Sequence, residues 1–139
     1  MGGAVSVKED SGKATNKQKC ILLVDDDPAM RSLVSDELRD EGYHVVQAAD
    51  GREALHALGH LTPTVIITDL RMPFGGMELV AQLKSKTPHI PIILMTAFGD
   101  AQTEAQAYKQ GATAYFNKPV RMEALKVAIR RLLDGNGGH

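Results

Sequence analysis

The chain has 139 residues, of which 43% are hydrophobic and 24% are charged, and this indicates one globular domain rather than two. Its 16 basic and 17 acidic residues give a net charge of −1, without the basic excess typical of nucleic-acid-binding proteins. No apolar run approaches the roughly 20 residues that span a bilayer, and Cys20, the single cysteine, cannot form an internal disulfide. We therefore expect a cytoplasmic protein in a reducing compartment, with no nucleic-acid or membrane partner.

The sequence divides into three parts. Residues 1–19 are mostly polar and offer little to bury, so we predict a flexible N-terminal tail. Residues 20–133 form the predicted domain, in which short apolar runs alternate with helical patterns. Residues 134–139 are predicted to be a flexible C-terminal tail, or the remnant of a linker or tag.

The alternating pattern predicts the class of fold. Asp27 is a predicted N-cap, Gly42, Gly59 and Gly111 end three of the helices, and the last helix is predicted over residues 120–133. The predicted strands cover residues 21–24, 43–48, 65–69, 90–95 and 114–117. Five strands that alternate with five helices indicate an α/β fold, a doubly wound parallel sheet with helices on both faces.

Side chains that can do chemistry follow four of these strands. Asp25 and Asp26 follow the first strand, Asp69 ends the third, Thr96 ends the fourth, and Lys118 follows the fifth. Because the carboxyl ends of parallel strands meet at one edge of a sheet, we expect these side chains to converge. Crowded carboxylates repel one another unless a cation intervenes, and Mg²⁺ prefers such oxygen ligands. Together with an ammonium and a hydroxyl group, they predict a site for a phosphoryl group.

Four segments carry a resemblance to a known family. The chain resembles the receiver domain of two-component response regulators, a chemotaxis-regulator-like fold, over residues 20–133. The matching segments are ILLVDDDP (residues 21–28), VIITDLRMP (65–73), PIILMTA (91–97) and GATAYFNKP (111–119). The resemblance implies a flavodoxin-like fold with five parallel strands in the order 2-1-3-4-5.

The resemblance also implies a role for each carboxylate. Asp69 would accept a phosphoryl group from the phosphohistidine of a sensor histidine kinase or a histidine phosphotransfer protein. Asp26, Asp69 and the backbone carbonyl of Arg71 would bind Mg²⁺, or Mn²⁺, directly, and Asp25 would act through water. The chain would not be an enzyme beyond its own phosphorylation and autodephosphorylation.

Further residues would bind the phosphoryl group and report its presence. Lys118 would contact its oxygens, held by a cis bond to Pro119, and cis bonds are plausible only before proline. Thr96 would move toward the phosphorylated acceptor, and Tyr115 would swing inward into the vacated space. The changed face of the fourth helix, fifth strand and fifth helix would signal to a downstream protein or an attached output domain.

Two features of the sequence depart from the family pattern. The loop after Pro73, residues 74–77, is one residue short of the usual Gly-x-Asp-Gly pattern, which puts its geometry in doubt. Residues 113–114 (Thr-Ala) stand where DNA-binding members often carry an acidic pair, which lowers the expectation of the dimer those members form. The resemblance also bears on the lifetime of the phosphoryl group. Arg71 and Phe98 would flank the path of the water that attacks it. Since both side chains are bulky, we predict slow self-dephosphorylation.

Two other functions share part of the pattern. Asp25-x-Asp27 matches the Asp-x-Asp of aspartyl phosphatases, but Ala29 stands where Thr or Val is usual, and no paired acid follows the fourth strand. A flavin-binding flavodoxin module is disfavoured by the small number of aromatic residues and by the absence of a Ser/Thr-rich loop after the first strand. The identity of the phosphorylated residue, Asp25 or Asp69, distinguishes the phosphatase from the receiver.

One histidine pair has the spacing of a metal motif. His56 and His60 are four residues apart, as in a zinc pair on a helix. Gly59 is predicted to end the helix between them, and no Cys or third His stands near them in the sequence. We therefore interpret both as surface histidines.

Overall fold

The computed structural model describes residues 19–97 and 99–137, which form five β-strands that alternate with five α-helices. The strands are β1 (Cys20–Val24), β2 (His44–Ala48), β3 (Val65–Asp69), β4 (Ile92–Thr96) and β5 (Ala114–Asn117). The helices are α1 (Pro28–Asp40), α2 (Gly51–Ala57), α3 (Gly76–Lys86), α4 (Ala101–Gln110) and α5 (Met122–Gly137).

The strands form one parallel sheet in the order β2-β1-β3-β4-β5. Ile21 of β1 pairs with Val45 of β2 on one side and with Val65 of β3 on the other. The central strands are buried almost throughout, because helices cover both faces, as is usual for a parallel sheet. The predicted flavodoxin-like fold and strand order are confirmed over the described residues.

Alternate residues of the central strands enter two hydrophobic cores. On one face, α1 and α5 contribute Val34, Leu38, Leu125 and Ile129, which pack on Ile21, Leu23, Ile67 and Ile93. On the other face, α2, α3 and α4 contribute Ala54, Leu79, Val80, Leu83 and Ala107, which pack on Leu22, Val24, Ile66 and Leu94. Because such cores are close-packed, they hold the strand ends, and the loops that follow them, in fixed positions.

Aspartates cap three of the helices. Asp27, Asp50 and Asp100 precede α1, α2 and α4, and each accepts a hydrogen bond from a backbone N–H of the first turn, at 3.0, 2.9 and 2.8 Å respectively. Gly111 ends α4 at a φ of 119°, in the left-handed region that favours glycine. The N-cap predicted at Asp27 and the helix end predicted at Gly111 are both observed.

Several boundaries differ from the sequence prediction, by one residue at the start of β1 and of β2, and by more in β4 and in the last helix. β4 begins at Ile92 rather than at residue 90, because the backbone N–H of Ile90 is turned toward the carbonyl of Thr87. The last helix begins at Met122 and continues to Gly137, so residues 134–137 are helical where a flexible end was predicted. No proline follows to interrupt this helix. The predicted N-terminal tail, apart from Lys19, lies outside the described residues, as do residues 138–139.

Candidate functional site at the carboxyl edge of the sheet

Three aspartates meet where β1 and β3 end. Val24 and Thr68 pair across these strands, so the next residues, Asp25 just after β1 and Asp69 at the end of β3, lie side by side. Asp25 and Asp69 are buried, whereas Asp26 is exposed. One carboxylate oxygen from each of the three lies within 4.8 Å of the other two. The structure therefore brings together the carboxylates that the sequence placed at separate strand ends.

Lys118 supplies the positive charge beside these carboxylates. Its Nζ donates to Oδ2 of Asp69 at 2.7 Å and to Oδ2 of Asp25 at 3.1 Å. Its backbone N–H donates to the carbonyl of Thr96 at 2.8 Å, which ties the segment after β5 to the end of β4. The bond to Pro119 is cis, in agreement with the expectation from the sequence. One ammonium group thus faces two buried carboxylates.

Burial and charge act in opposite directions on the ionisable groups of this pocket. Burial raises the pKa of Asp25 above its ordinary value, although hydrogen bonds from the Asp27 N–H and from Lys118 oppose the shift. Burial by itself would lower the pKa of Lys118, but the hydrogen bonds and charges of Asp69 and Asp25 outweigh it, and the pKa is raised. Lys118 is therefore held as a cation, while Asp25 would gain from further positive charge.

The donor set fits a hard divalent cation. Three carboxylates within 4.8 Å, with Asp26 exposed to solvent, offer the oxygen ligands that Mg²⁺ prefers. Two of these carboxylates are oriented by the backbone: Asp27 N–H donates to Oδ1 of Asp25 at 2.9 Å, and Arg71 N–H donates to Oδ1 of Asp69 at 3.0 Å. The raised pKa of Asp25 supports the fit, because an added cation would favour its ionised form.

Arg31 of α1 holds the backbone beneath the acidic cluster. Its Nη1 donates to the carbonyl of Asp25 at 2.6 Å, and its Nε donates to Oε1 of Gln47 at 3.0 Å. Gln47 in turn donates to Oγ of the buried Ser35 at 3.1 Å, and the Asp25 N–H donates to the carbonyl of Ala48 at 3.1 Å. Sequence reasoning missed Arg31, whose only signal is an arginine one turn into the helix that follows the acidic pair.

Thr96 and Tyr115 meet beside Gly99 at the other half of the edge. Thr96 is buried and follows Met95, the residue of β4 that pairs with Asp69. A Cβ atom on Gly99 would lie 1.7 Å from Oη of Tyr115 and 2.8 Å from Cγ2 of Thr96. Both side chains therefore pack directly against the Gly99 backbone. The Tyr115 hydroxyl is buried and has no hydrogen-bond partner among the described residues.

Burial raises the pKa of this Tyr115 hydroxyl, and the negative charges of Glu104 and Asp100 raise it further. The hydroxyl is therefore protonated at neutral pH. Among the described residues it is a buried donor without an acceptor, which costs free energy in a protein interior.

The short loop after Pro73 is attached to α2. The Gly51 N–H donates to the carbonyl of Pro73 at 3.2 Å, and the Arg52 guanidinium lies 4.3 Å from the centre of the Phe74 ring. Phe74 has a φ of 55°, which is uncommon for a residue with a side chain. A Cβ atom on Gly51 would lie 1.6 Å from the Phe74 carbonyl oxygen. Glycine is therefore required at this contact between α2 and the loop.

The remaining predicted residues are placed as follows. Arg71 is exposed and contacts Asp69 through its backbone N–H. Phe98 lies outside the described residues. Thr113 leads into β5, where its N–H donates to the carbonyl of Ile92 at 2.7 Å.

The strand order and the acidic edge of the sheet are those of a two-component signalling domain. The chain belongs to the response regulator receiver domain family, whose model matches residues 21–130. The resemblance noted in the sequence is thereby confirmed.

Solved structures and curated proteins support this assignment. A CheY-like receiver domain protein from Methanospirillum hungatei JF-1 is 29% identical, with a TM-score of 0.82 over 86% of this chain and 97% of that chain. CheY4 of Vibrio cholerae is 35% identical, with a TM-score of 0.78 over 83% and 98%. The transcriptional regulatory protein GlrR of Escherichia coli K12 is 38% identical over 121 residues, which are 86% of this chain and 27% of GlrR.

The chain spans between about a quarter and about half the length of the curated relatives that it matches. Within the described ranges, no helix is both long and apolar enough to cross a membrane.

Proposed function

We propose that this receiver accepts a phosphoryl group from a phosphohistidine onto a side-chain oxygen of Asp69, in a Mg²⁺-dependent reaction. The observation that carries the proposal is the Lys118 ammonium group, which lies 2.7 Å from Asp69 and 3.1 Å from Asp25 in a partly buried pocket. The bond between phosphorus and the imidazole nitrogen breaks as the bond to the Asp69 oxygen forms. The products are an acyl phosphate on Asp69 and a free histidine side chain on the donor.

The surrounding groups support this transfer electrostatically. Lys118 can follow the transferred oxygens and neutralise their charge, which is the main task of a protein in phosphoryl transfer. The Arg71 N–H orients the acceptor through its Oδ1. Asp26, Asp69 and the Arg71 carbonyl are the proposed direct ligands of Mg²⁺, or of Mn²⁺, and Asp25 would act through water. The ion would supply positive charge against the phosphoryl oxygens.

The alternative acceptor, Asp25, is less suited to attack. It has no exposed surface, whereas Asp69 is 6% exposed. Hydrogen bonds do not separate the two residues, because each accepts one bond from a backbone N–H at Oδ1 and one from Lys118 at Oδ2. The difference is burial: an incoming phosphoryl donor can reach the partly exposed Asp69 but not the fully buried Asp25, which disfavours the phosphatase reading.

The proposed output is a change on the face formed by α4, β5 and α5. Thr96 would follow the phosphoryl group, and Tyr115 would adjust beside it, because both side chains pack on the same backbone at Gly99. The proposed partners are a sensor histidine kinase or histidine phosphotransfer protein upstream, and a downstream protein or output domain. We propose that these exchanges occur in the cytoplasm.

The test is intact mass spectrometry after incubation with Mg²⁺ and a small acyl phosphate donor. We expect one phosphoryl adduct on the parent chain, no adduct on Asp69→Ala, and a slower but detectable adduct on Asp25→Ala. Reduction of the acyl phosphate with borohydride, followed by peptide mapping, locates the modified residue. An adduct that persists in Asp69→Ala and disappears in Asp25→Ala would instead support the phosphatase reading, and no adduct under any condition would refute both.

A slow loss of the phosphoryl group is proposed as well. Arg71 is exposed beside the acceptor and would hinder attacking water together with Phe98. The double variant Arg71→Ala/Phe98→Ala should shorten the lifetime of the adduct, measured as the decay of its mass peak after donor removal. An unchanged lifetime would contradict this part of the proposal.

A further inference from the structure

His56 and His60, at the C-terminal end of α2, are exposed on the surface, and neither has a part in the proposed phosphoryl transfer. α2 ends at Ala57, and Leu58, Gly59 and His60 form a turn. The turn is closed by backbone hydrogen bonds, from Gly59 N–H to the His56 carbonyl at 3.0 Å and from His60 N–H to the Ala57 carbonyl at 2.9 Å. The helix therefore ends between the two histidines, as the sequence predicts, yet the turn keeps them on one side of the chain.

The two imidazole rings approach each other with the same atom, Nε2. Nε2 of His56 lies 3.2 Å from Nε2 of His60, and the ring centres are 4.7 Å apart at an interplanar angle of 65°. A tetrahedral ion with metal–nitrogen bonds of about 2.05 Å requires two ligand nitrogens roughly 3.3 Å apart. The observed separation is close to this nitrogen–nitrogen distance. Little movement of the two side chains is therefore needed for both to bind one ion.

We propose that His56 and His60 form a two-histidine site for a transition-metal ion, separate from the acidic cluster. Each ring would donate the lone pair of its Nε2, with its hydrogen on Nδ1, and water would complete the coordination. Imidazole ligands suit Zn²⁺, Ni²⁺ and Cu²⁺, with Cu²⁺ bound most tightly, whereas Mg²⁺ prefers carboxylate, carbonyl and water oxygens. The two sites therefore differ in the class of cation that they select.

Two structural features favour binding at this pair. Both residues are exposed, so an ion can reach the site without opening the fold. His56 lies in the last turn of α2 and His60 in the turn that follows, and the negative end of the helix dipole there favours a cation. The ion would replace a single weak contact between two rings by two metal–nitrogen bonds, and would join the end of α2 to the turn that follows it.

The experiment is a Zn²⁺ titration of the full chain in the presence of excess Mg²⁺, followed by calorimetry and by NMR of the imidazole nitrogens. We expect one ion to bind and to shift the Nε2 signals of both His56 and His60. His56→Ala and His60→Ala should each weaken binding by at least about tenfold, because the second ligand acts at high effective concentration only when the first is bound.

His44→Ala and His89→Ala are the matched controls, because they remove a histidine from outside the pair. Binding that is unchanged in His56→Ala and His60→Ala, or that is weakened equally in His89→Ala, would overturn the proposal. The measurement does not depend on phosphorylation. Failure of the Asp69 proposal would therefore leave this result intact, and the reverse is also true.

Discussion

The two halves of the carboxyl edge of the sheet differ in how their buried polar groups are paired. In the half formed by β1 and β3, Asp25 accepts hydrogen bonds at both oxygens, and Asp69 accepts from the Arg71 N–H and from Lys118. In the half formed by β4 and β5, the buried Tyr115 hydroxyl has no partner among the described residues.

This difference suggests why one half can hold a reacting group while the other can change shape. A fully paired set of buried charges resists displacement, because removal of one partner leaves another charge uncompensated. A side chain with an unpaired hydroxyl loses little when it moves, and it gains wherever it finds a partner.

Replacement of Lys118 should have the largest effect. Lys118→Met leaves two buried carboxylates without their counter-charge, and we expect the free energy of unfolding in EDTA to fall by about 3 kcal/mol. Millimolar Mg²⁺ should restore part of this loss, because the ion would bind the same oxygens. Urea denaturation with and without Mg²⁺ measures both effects.

The matched control is Lys126→Met, which removes contacts to Glu37 at 2.8 Å and Glu41 at 3.4 Å far from the pocket. These carboxylates are 38% exposed and therefore partly solvated, so the change in stability should be small and independent of Mg²⁺. If both lysine variants lose the same unfolding free energy and respond equally to Mg²⁺, Lys118 does not compensate the charge of the buried carboxylates.

Gly99→Ala tests the packing of the β4–β5 half. The added Cβ would overlap Oη of Tyr115, so we expect a loss of about 2 kcal/mol in the free energy of unfolding and a more exposed tyrosine ring. The cost should be smaller in a Tyr115→Ala background, where the main obstacle is absent. Thermal unfolding of the four proteins of this double-mutant cycle measures the coupling, and a coupling of zero would contradict the contact.

Arg31→Ala tests whether the acidic cluster depends on the arginine that supports its backbone. We expect Mg²⁺ to bind about fivefold more weakly, which corresponds to about 1 kcal/mol. Arg39→Ala is the control, because Arg39 makes a similar bond from α1 to the carbonyl of Val45, away from the site. Tighter Mg²⁺ binding in Arg31→Ala would mean that the arginine acts as a repelling charge rather than as a support.

Tyr115→Phe should have the smallest effect on stability and the opposite sign. Removal of a buried hydroxyl without a partner should raise the free energy of unfolding by about 1 kcal/mol. Tyr108→Phe is the control, because Tyr108 is 45% exposed and its hydroxyl can bond to water. A lower unfolding free energy in Tyr115→Phe would indicate that the hydroxyl makes a stabilising hydrogen bond in the folded protein.

The fold could be predicted from the sequence because its determinants are local. Short apolar runs rich in Ile and Val define the buried strands, and Asp27 and Gly111 mark helix ends through bonds within a few residues. Strict alternation of strand and helix leaves few arrangements open, since parallel crossovers are right-handed and avoid crossing one another. The same alternation predicts that Asp25, Asp26, Asp69 and Lys118 converge, because each follows or ends a strand.

Contacts between side chains on different elements could be learned only from the tertiary structure. The bond from Arg31 to the Asp25 carbonyl, the closure of Tyr115 on Gly99 and the docking of Phe74 on Arg52 all depend on how helices and loops pack against the sheet. The same holds for the 3.2 Å approach of His56 and His60, which depends on the path of one turn after the helix has ended. Sequence periodicity specifies which face of an element is buried, but distances of a few ångströms are set by close packing.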